Sequence, residues 1–380
     1  MPEGLRTQAV GSVARVADRL GMWWMLRSDY GPDYAIEPHQ ITQADLGPYV
    51  GLSLPWDRDR LFPAPRSATG VRVREVDGLL DHPERRPLWI PGGLDLEQGG
   101  ADLVRRDFSF DSPHEPLSQA FARQYATTPE NHTVHGRIYA PRNVAVERCV
   151  LVVHGFSAQS LDSVARFTPA GRMAARGTAV AVVALPYHGP RKPEAARFSG
   201  ELFMSGDVIR SFESILQAVT DLRTTLRWLR DDLGMTGVGL IGGSMGGYLA
   251  TLAAAVDDSP EFLYALAPVI RVTDRMEAVP LGRHMVAGLA RQAVPSEVIS
   301  RLQDIVDPSL HDPALPTSRM RFFAGRNDLF VPTNHMERLV ARWQGVRVHW
   351  HDWGHLTALL AWPPRRLFDE VEGFMDELQS

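Results

Sequence analysis

The tightest constraint on this chain lies at residues 238–253. Val238, Leu240 and Ile241 form a short apolar run, Gly242-Gly243-Ser244-Met245-Gly246-Gly247 follows, and Leu249, Leu252 and Ala253 then recur at helical spacing. A buried strand therefore enters a helix through a serine flanked by glycines. Such a turn is so sharp that side chains two residues before and two after the serine would collide, which accounts for Gly242 and Gly246. It lifts the hydroxyl above the carboxyl edge of a sheet and aims the unpaired N–H groups of a helix N-terminus at it. The segment thus predicts both a sheet-and-helix architecture and a nucleophile at Ser244.

The rest of the pattern agrees with an α/β fold. A continuous apolar run at 149–153 reads as a strand buried on both faces, further short apolar runs at 179–185, 238–241, 262–267, 320–324 and 346–350 read as strands, and alternating stretches at 106–110 and 133–140 read as an antiparallel edge. The expectation is a mostly parallel eight-stranded sheet flanked by helices. The clearest helix spans 207–233, where Val208, Phe212, Ile215, Val219, Leu222, Leu226 and Leu229 share a face and Gly234 supplies the stop.

Residues 1–104 read as an N-terminal extension packed on or capping the core, and 105–380 as the catalytic domain. Within the extension, Val10, Val13, Val16, Ala17 and Leu20 and the cluster from Met22 to Leu26 predict an amphipathic helix packed on the main domain. Membrane docking or a homodimer contact is the alternative use of such a cluster. Residues 31–91 read as irregular. The long connection 271–317 is expected to form a small helical lid, with helices near 282–292 and 296–306 and with Met285, Val286 and Leu289 reaching toward Ser244.

A serine hydroxyl needs a base within hydrogen-bond reach and a third group to hold that base in one tautomer. On a scaffold of this kind the chain order is nucleophile, acid, histidine. Asp328 follows the run 320–324 and a turn containing Gly325, while His355 follows Gly354 on the loop after 346–350. Asp352 and Asp307 are the alternative acids. His349 and His351 alternate onto one face of their strand and read as structural. Two backbone donors must face the oxyanion, and they are assigned to Met245 and, in the loop His154-Gly155-Phe156-Ser157, to Phe156. His154 has no second ligand spaced with it, so no metal is expected, and no cofactor is required. Tyr187 and His188, on the Pro-rich loop 185–193, are assigned with Met285 to substrate binding. Arg191 and Lys192 either pair with a substrate anion or sit solvated on a rigid turn.

Composition excludes other classes. The formal net charge of −5, from 40 basic and 45 acidic residues without a long run of either sign, gives no footprint for nucleic acid. The single cysteine, Cys149, heads an apolar run and reads as a buried strand residue, so neither a disulfide framework nor a cysteine metal cluster is available. No run approaches the ~20 apolar residues of a membrane span, and no export signal is evident, which places the chain in the cytoplasm by expectation. The expected partner is a small hydrophobic ester.

Over roughly 105–380 the chain resembles the α/β-hydrolase superfamily. More closely it is similar to the group around α/β-hydrolase-domain-containing protein 18, through Pro186-Tyr187-His188-Gly189 with Arg191-Lys192-Pro193, through Glu201-Leu202-Phe203-Met204-Ser205-Gly206, and through Gly243-Ser244-Met245-Gly246-Gly247. His188 departs from the tyrosine that this resemblance implies there. The resemblance implies esterase- or lipase-like deacylation with Ser244, Asp328 and His355 as catalytic residues. Cleavage of a carbon–carbon or other unusual acyl bond, or a non-catalytic binding role on the same fold, is the alternative.

Overall fold

The computed structural model describes residues 3–27, 43–53, 57–82, 100–271, 290, 294–358 and 364–378. Its centre is a nine-stranded sheet: β1 (Thr69–Val76), β2 (Leu103–Asp111), β3 (Thr133–Pro141), β4 (Arg148–Val153), β5 (Thr178–Val183), β6 (Gly237–Gly243), β7 (Leu263–Leu266), β8 (Met320–Gly325) and β9 (Arg347–His351). The strand order is β1-β2-β3-β5-β4-β6-β7-β8-β9. Pairing is antiparallel from β1 to β5 and parallel from β5 through β9.

Successive side chains of the central strands enter two cores, as the period of two requires. Leu151, Ala181, Val183, Leu240 and Phe322 face one core, and Val150, Val180, Val182, Ile241 and Phe323 face the other. Both faces are covered by helices, so these strands read as continuous apolar runs. Cys149 is buried in β4, and burial pushes its thiol up to about 12, which keeps it inert.

The expected eight strands are present, and β1 is a ninth within the stretch read as irregular. All its residues but the last are exposed, including Val71 and Val73. With no buried face it carries no inward alternation, and its charges at Arg72, Arg74 and Glu75 suit an exposed edge. Part of the N-terminal region is therefore built into the sheet.

Six helices matter for the site: α1 (Glu3–Arg27), α2 (Val208–Asp231), α3 (Met245–Val256), α4 (Ser296–Val306), α5 (Thr333–Arg342) and α6 (Pro364–Glu377). The Asp207 carboxylate caps α2 by accepting the Arg210 N–H at 3.0 Å. Helix α1 forms as expected, but with the opposite face inward. Val10, Val13, Val16, Leu20 and Trp23 are exposed, whereas Gly11, Ala14 and Asp18 are buried. The inner face is small and polar because it meets loop backbone rather than a hydrophobic core.

Candidate active site

Ser244 joins β6 to α3 with φ 54° and ψ −120°. A non-glycine residue held there stores on the order of 1–3 kcal/mol of strain. The backbone is fixed from both sides: Ser244 N–H donates to Leu266 O at 2.8 Å and Tyr248 N–H donates to Ser244 O at 3.0 Å. A Cβ on Gly242 would strike the Gly246 carbonyl, and one on Gly246 would strike the carbonyls of Val153 and His154. The two glycines thus permit the turn and its seating on the end of β4.

The half-buried Ser244 Oγ lies 2.9 Å from His355 Nε2, and His355 Nδ1 lies 2.8 Å from Asp328 Oδ2. A carboxylate can only accept, so Nδ1 carries the proton and Nε2 accepts from the serine hydroxyl. The other carboxylate oxygen of Asp328 accepts the N–H groups of Phe330 at 2.8 Å and Val331 at 2.7 Å. His355 and Asp328 are almost wholly buried. Burial alone would push the imidazole pKa down, but the Asp328 charge and hydrogen bond, with a contribution from the Asp18 charge, outweigh it and raise the value. Phe330 stacks over the ring at 5.0 Å between centroids.

The alternative acids are engaged elsewhere. Asp352 lies 3.6 Å from Arg326, and Asp307 accepts the Ser309 N–H and an Arg271 guanidinium N–H. His349 pairs with Glu370 at 3.0 Å, and His351 stacks on Phe323 with its pKa pushed down to about 4 by burial.

Met245 is the first residue of α3, so its N–H has no acceptor within the helix. The loop carrying Phe156 lies alongside, since a Cβ on Gly155 would sit 3.5 Å from Gly243 O and 3.6 Å from Ser244 Cβ. His154 anchors that loop. Its Nε2 accepts the Leu185 N–H at 3.0 Å, which leaves Nδ1–H to donate to Gly155 O at 2.8 Å. Burial holds this imidazole at about 4, hence neutral. No group of three or more metal-competent side chains occurs among the described residues.

Tyr187 and His188 are buried, with the His188 ring packed edge-on against His154, Phe156 and Phe203. Tyr187 N–H donates to Asn131 Oδ1 at 3.0 Å, and His188 Nδ1 lies 2.8 Å from Pro186 O. The His188 ring thus packs against the loop of Phe156, while Tyr187 is tied to Asn131. Met285, Val286 and Leu289 lie outside the described residues. The segment 296–306, expected as the second helix of the lid, is α4; it buries Val298, Leu302 and Ile305 in the core shared with α2 and accepts the Tyr248 hydroxyl at Val306 O at 2.8 Å.

Arg191 is not available to a substrate anion. Arg191 is fully buried, 2.8 Å from Asp221 on α2, and also donates to Asn131 O and Ala184 O. Lys192 Nζ donates to Ala196 O at 2.6 Å. The Pro-rich loop is thus tied to α2 by a desolvated ion pair. Arg191→Met should leave the Asp221 carboxylate uncompensated and cost about 3–5 kcal/mol in urea unfolding. A loss below about 1 kcal/mol would show that Asp221 is satisfied without the guanidinium.

One residue escapes the sequence reading. Asp18 of α1 is buried and accepts the N–H groups of Leu329 at 3.0 Å, His355 at 2.9 Å and Leu356 at 2.9 Å. The available signal was the row Gly11, Ala14, Asp18, Gly21 opposite the valines.

A model of the alpha/beta hydrolase family matches residues 150–370, more than half of the chain. The chain belongs to the alpha/beta hydrolase family. Two curated relatives, the uncharacterized proteins MT2702 and Rv2627c of Mycobacterium tuberculosis strains CDC 1551 / Oshkosh and ATCC 25618 / H37Rv, are each 30% identical over 210 residues. This covers 53% of the present chain and 48% of each relative, so the chain spans about half the length of the curated relatives it matches. Among solved structures it is similar to acetyl xylan esterase 1 from Thermoanaerobacterium sp. JW/SL YS485, with TM-score 0.58 and 15% identity over 90% of this chain and 100% of that one. It is also similar to the acetyl xylan esterase from Paenibacillus sp. R4, with TM-score 0.54 and 17% identity over 90% of this chain and 98% of that one. At these identities the likeness shows the chain's fold alone. No helix among its described residues is long and apolar enough to cross a membrane.

Proposed function

We propose that this alpha/beta hydrolase cleaves carboxylic esters through an acyl-enzyme on Ser244. The observation that carries the reading is the continuous hydrogen-bonded chain from Ser244 Oγ through His355 to Asp328, with the serine on a strained turn at the end of β6. His355 Nε2 takes the hydroxyl proton as Oγ attacks the ester carbonyl, and Asp328 stabilises the imidazolium that forms. The N–H groups of Met245 and Phe156 are assigned to the tetrahedral oxyanion. Collapse expels the alcohol, which takes its proton from Nε2, and water then repeats the sequence on the acyl-enzyme to release the acid.

The substrate is assigned as a small or medium hydrophobic ester. The motifs at 186–193 and 201–206 support the closer resemblance to the protein 18-like group. The test is labelling by a fluorophosphonate, which reacts with an activated serine, followed by p-nitrophenyl esters of increasing chain length. Labelling confined to Ser244 with turnover of the esters is the expected result, and an unlabelled Ser244 in folded protein overturns the reading.

The pH dependence has a definite sign. His355 must be neutral to act, and its pKa is raised in the folded protein, so kcat/KM for a non-ionising ester should rise through one ionisation above ~6.5 and then level off. A midpoint well below ~6.5 would mean that burial, not the Asp328 charge, dominates at the imidazole.

A further inference from the structure

Among the described residues, helix α1 makes polar contacts with the two loops that carry Asp328 and His355. Along its inner face, Gly11 lets the helix close on Asn327, where an added Cβ would lie 2.9 Å from the amide Nδ2, Arg15 donates to Asn327 Oδ1, and Gly21 makes room for the Leu356 side chain. Asn327 in turn bridges the loops, donating through Nδ2 to Asp352 O at 2.9 Å and through its backbone to Trp353 O at 3.2 Å. Between these contacts lies Asp18. Its Oδ2 accepts from Leu329, next to the acid, and from His355 itself, while Oδ1 accepts from Leu356. Gly354 is required for that approach, because a Cβ there would lie 2.6 Å from Asp18 Oδ2.

We infer that Asp18 is a positioning residue for the active site: its carboxylate, delivered by the N-terminal helix, locks the acid loop and the histidine loop into one register and adds a second negative charge behind His355. The inference rests on the Ser244–His355–Asp328 reading. A carboxylate is expensive to bury without a partner cation, and its three backbone bonds are what offset that cost here. Burial raises the Asp18 pKa, the three N–H groups oppose that, and the neighbouring Asp328 charge adds to it. A hydrophobic residue would fill the same space without joining the loops, so the charge and the geometry point to function rather than packing. The groups placed around His355 are Asp328 from the loop after β8 and Ser244 from the β6–α3 turn at its ring nitrogens, Phe330 stacked on the ring, and Asp18 from α1 at its backbone N–H.

The test uses the full chain and separates this inference from the catalytic reading. Fluorophosphonate labelling of the parent judges the triad. The titration of the His355 imidazole, followed by 15N NMR, judges Asp18 without requiring turnover. In Asp18→Asn the His355 midpoint should fall by about half a unit or more, because a nearby negative charge is lost. The ester kcat should fall by roughly 10- to 100-fold with KM little changed, since the loops lose register but no substrate contact. Asp18→Glu keeps the charge and should return the midpoint toward the parent value. Should Asp18→Asn not fold, amide exchange in the parent decides: the N–H groups of Leu329, His355 and Leu356 should be strongly protected compared with other loop amides. An unchanged His355 midpoint in folded Asp18→Asn, or fast exchange at these amides, overturns the inference.

Discussion

Ser244→Ala should reduce ester turnover by about 10⁵- to 10⁶-fold while leaving the unfolding midpoint close to that of the parent. The hydroxyl is half-buried at the rim of the sheet, and its removal opens no cavity in either core. The turn survives because Gly242, Gly246 and the backbone bonds to Leu266 and Tyr248 hold it, not the side chain. His355→Ala should be almost as severe, and the double variant no worse than either single one, because nucleophile and base act as a unit. Fluorophosphonate labelling should disappear from Ser244→Ala altogether. Turnover within about tenfold of the parent in Ser244→Ala would place the chemistry at another residue.

The sequence makes these residues legible for different reasons. Ser244 announces itself locally, since a strand, two obligatory glycines and a helix lie within a dozen residues. His355 and Asp328 are legible by chain order and by their positions just past β8 and β9. The central parallel strands are legible because both their faces are buried; β1 is not, because neither of its faces is. The inward pairing of Tyr187, His188 and Arg191 is not legible, for a shared reason. Polar side chains on a loop at the carboxyl edge suggest a pocket wall, whereas here they bond inward to Asn131, Pro186 and Asp221. Such pairing depends on partners far away in sequence. Helix α1 shows the same limit from the other side: its period is plain, but its buried face is set by backbone N–H groups of loops more than three hundred residues away. A buried acceptor for main-chain donors leaves almost no trace in a hydrophobicity pattern.

Asp328→Asn should lower activity by roughly 10⁴-fold at every pH, through the tautomer of His355. The carboxylate serves two masters: Oδ2 accepts His355 Nδ1–H, and Oδ1 accepts the N–H groups of Phe330 and Val331. An asparagine has one acceptor oxygen for these three donors. If its NH2 faced the two backbone N–H groups, donors would meet donors in a buried site, at about 1–3 kcal/mol for each unsatisfied group. The amide oxygen should therefore remain with Phe330 and Val331, and the NH2 should point at His355. That geometry turns Nδ1 into an acceptor and moves the ring proton to Nε2, where it blocks proton transfer from Ser244. Loss of the carboxylate charge should also lower the His355 pKa, so the acid limb of the profile moves down while the plateau stays low. The two effects are separable by 15N NMR, which should show the proton on Nε2 in the variant and on Nδ1 in the parent. A plateau that returns to the parent rate once the limb has shifted would reduce Asp328 to a source of charge and remove its role in fixing the tautomer.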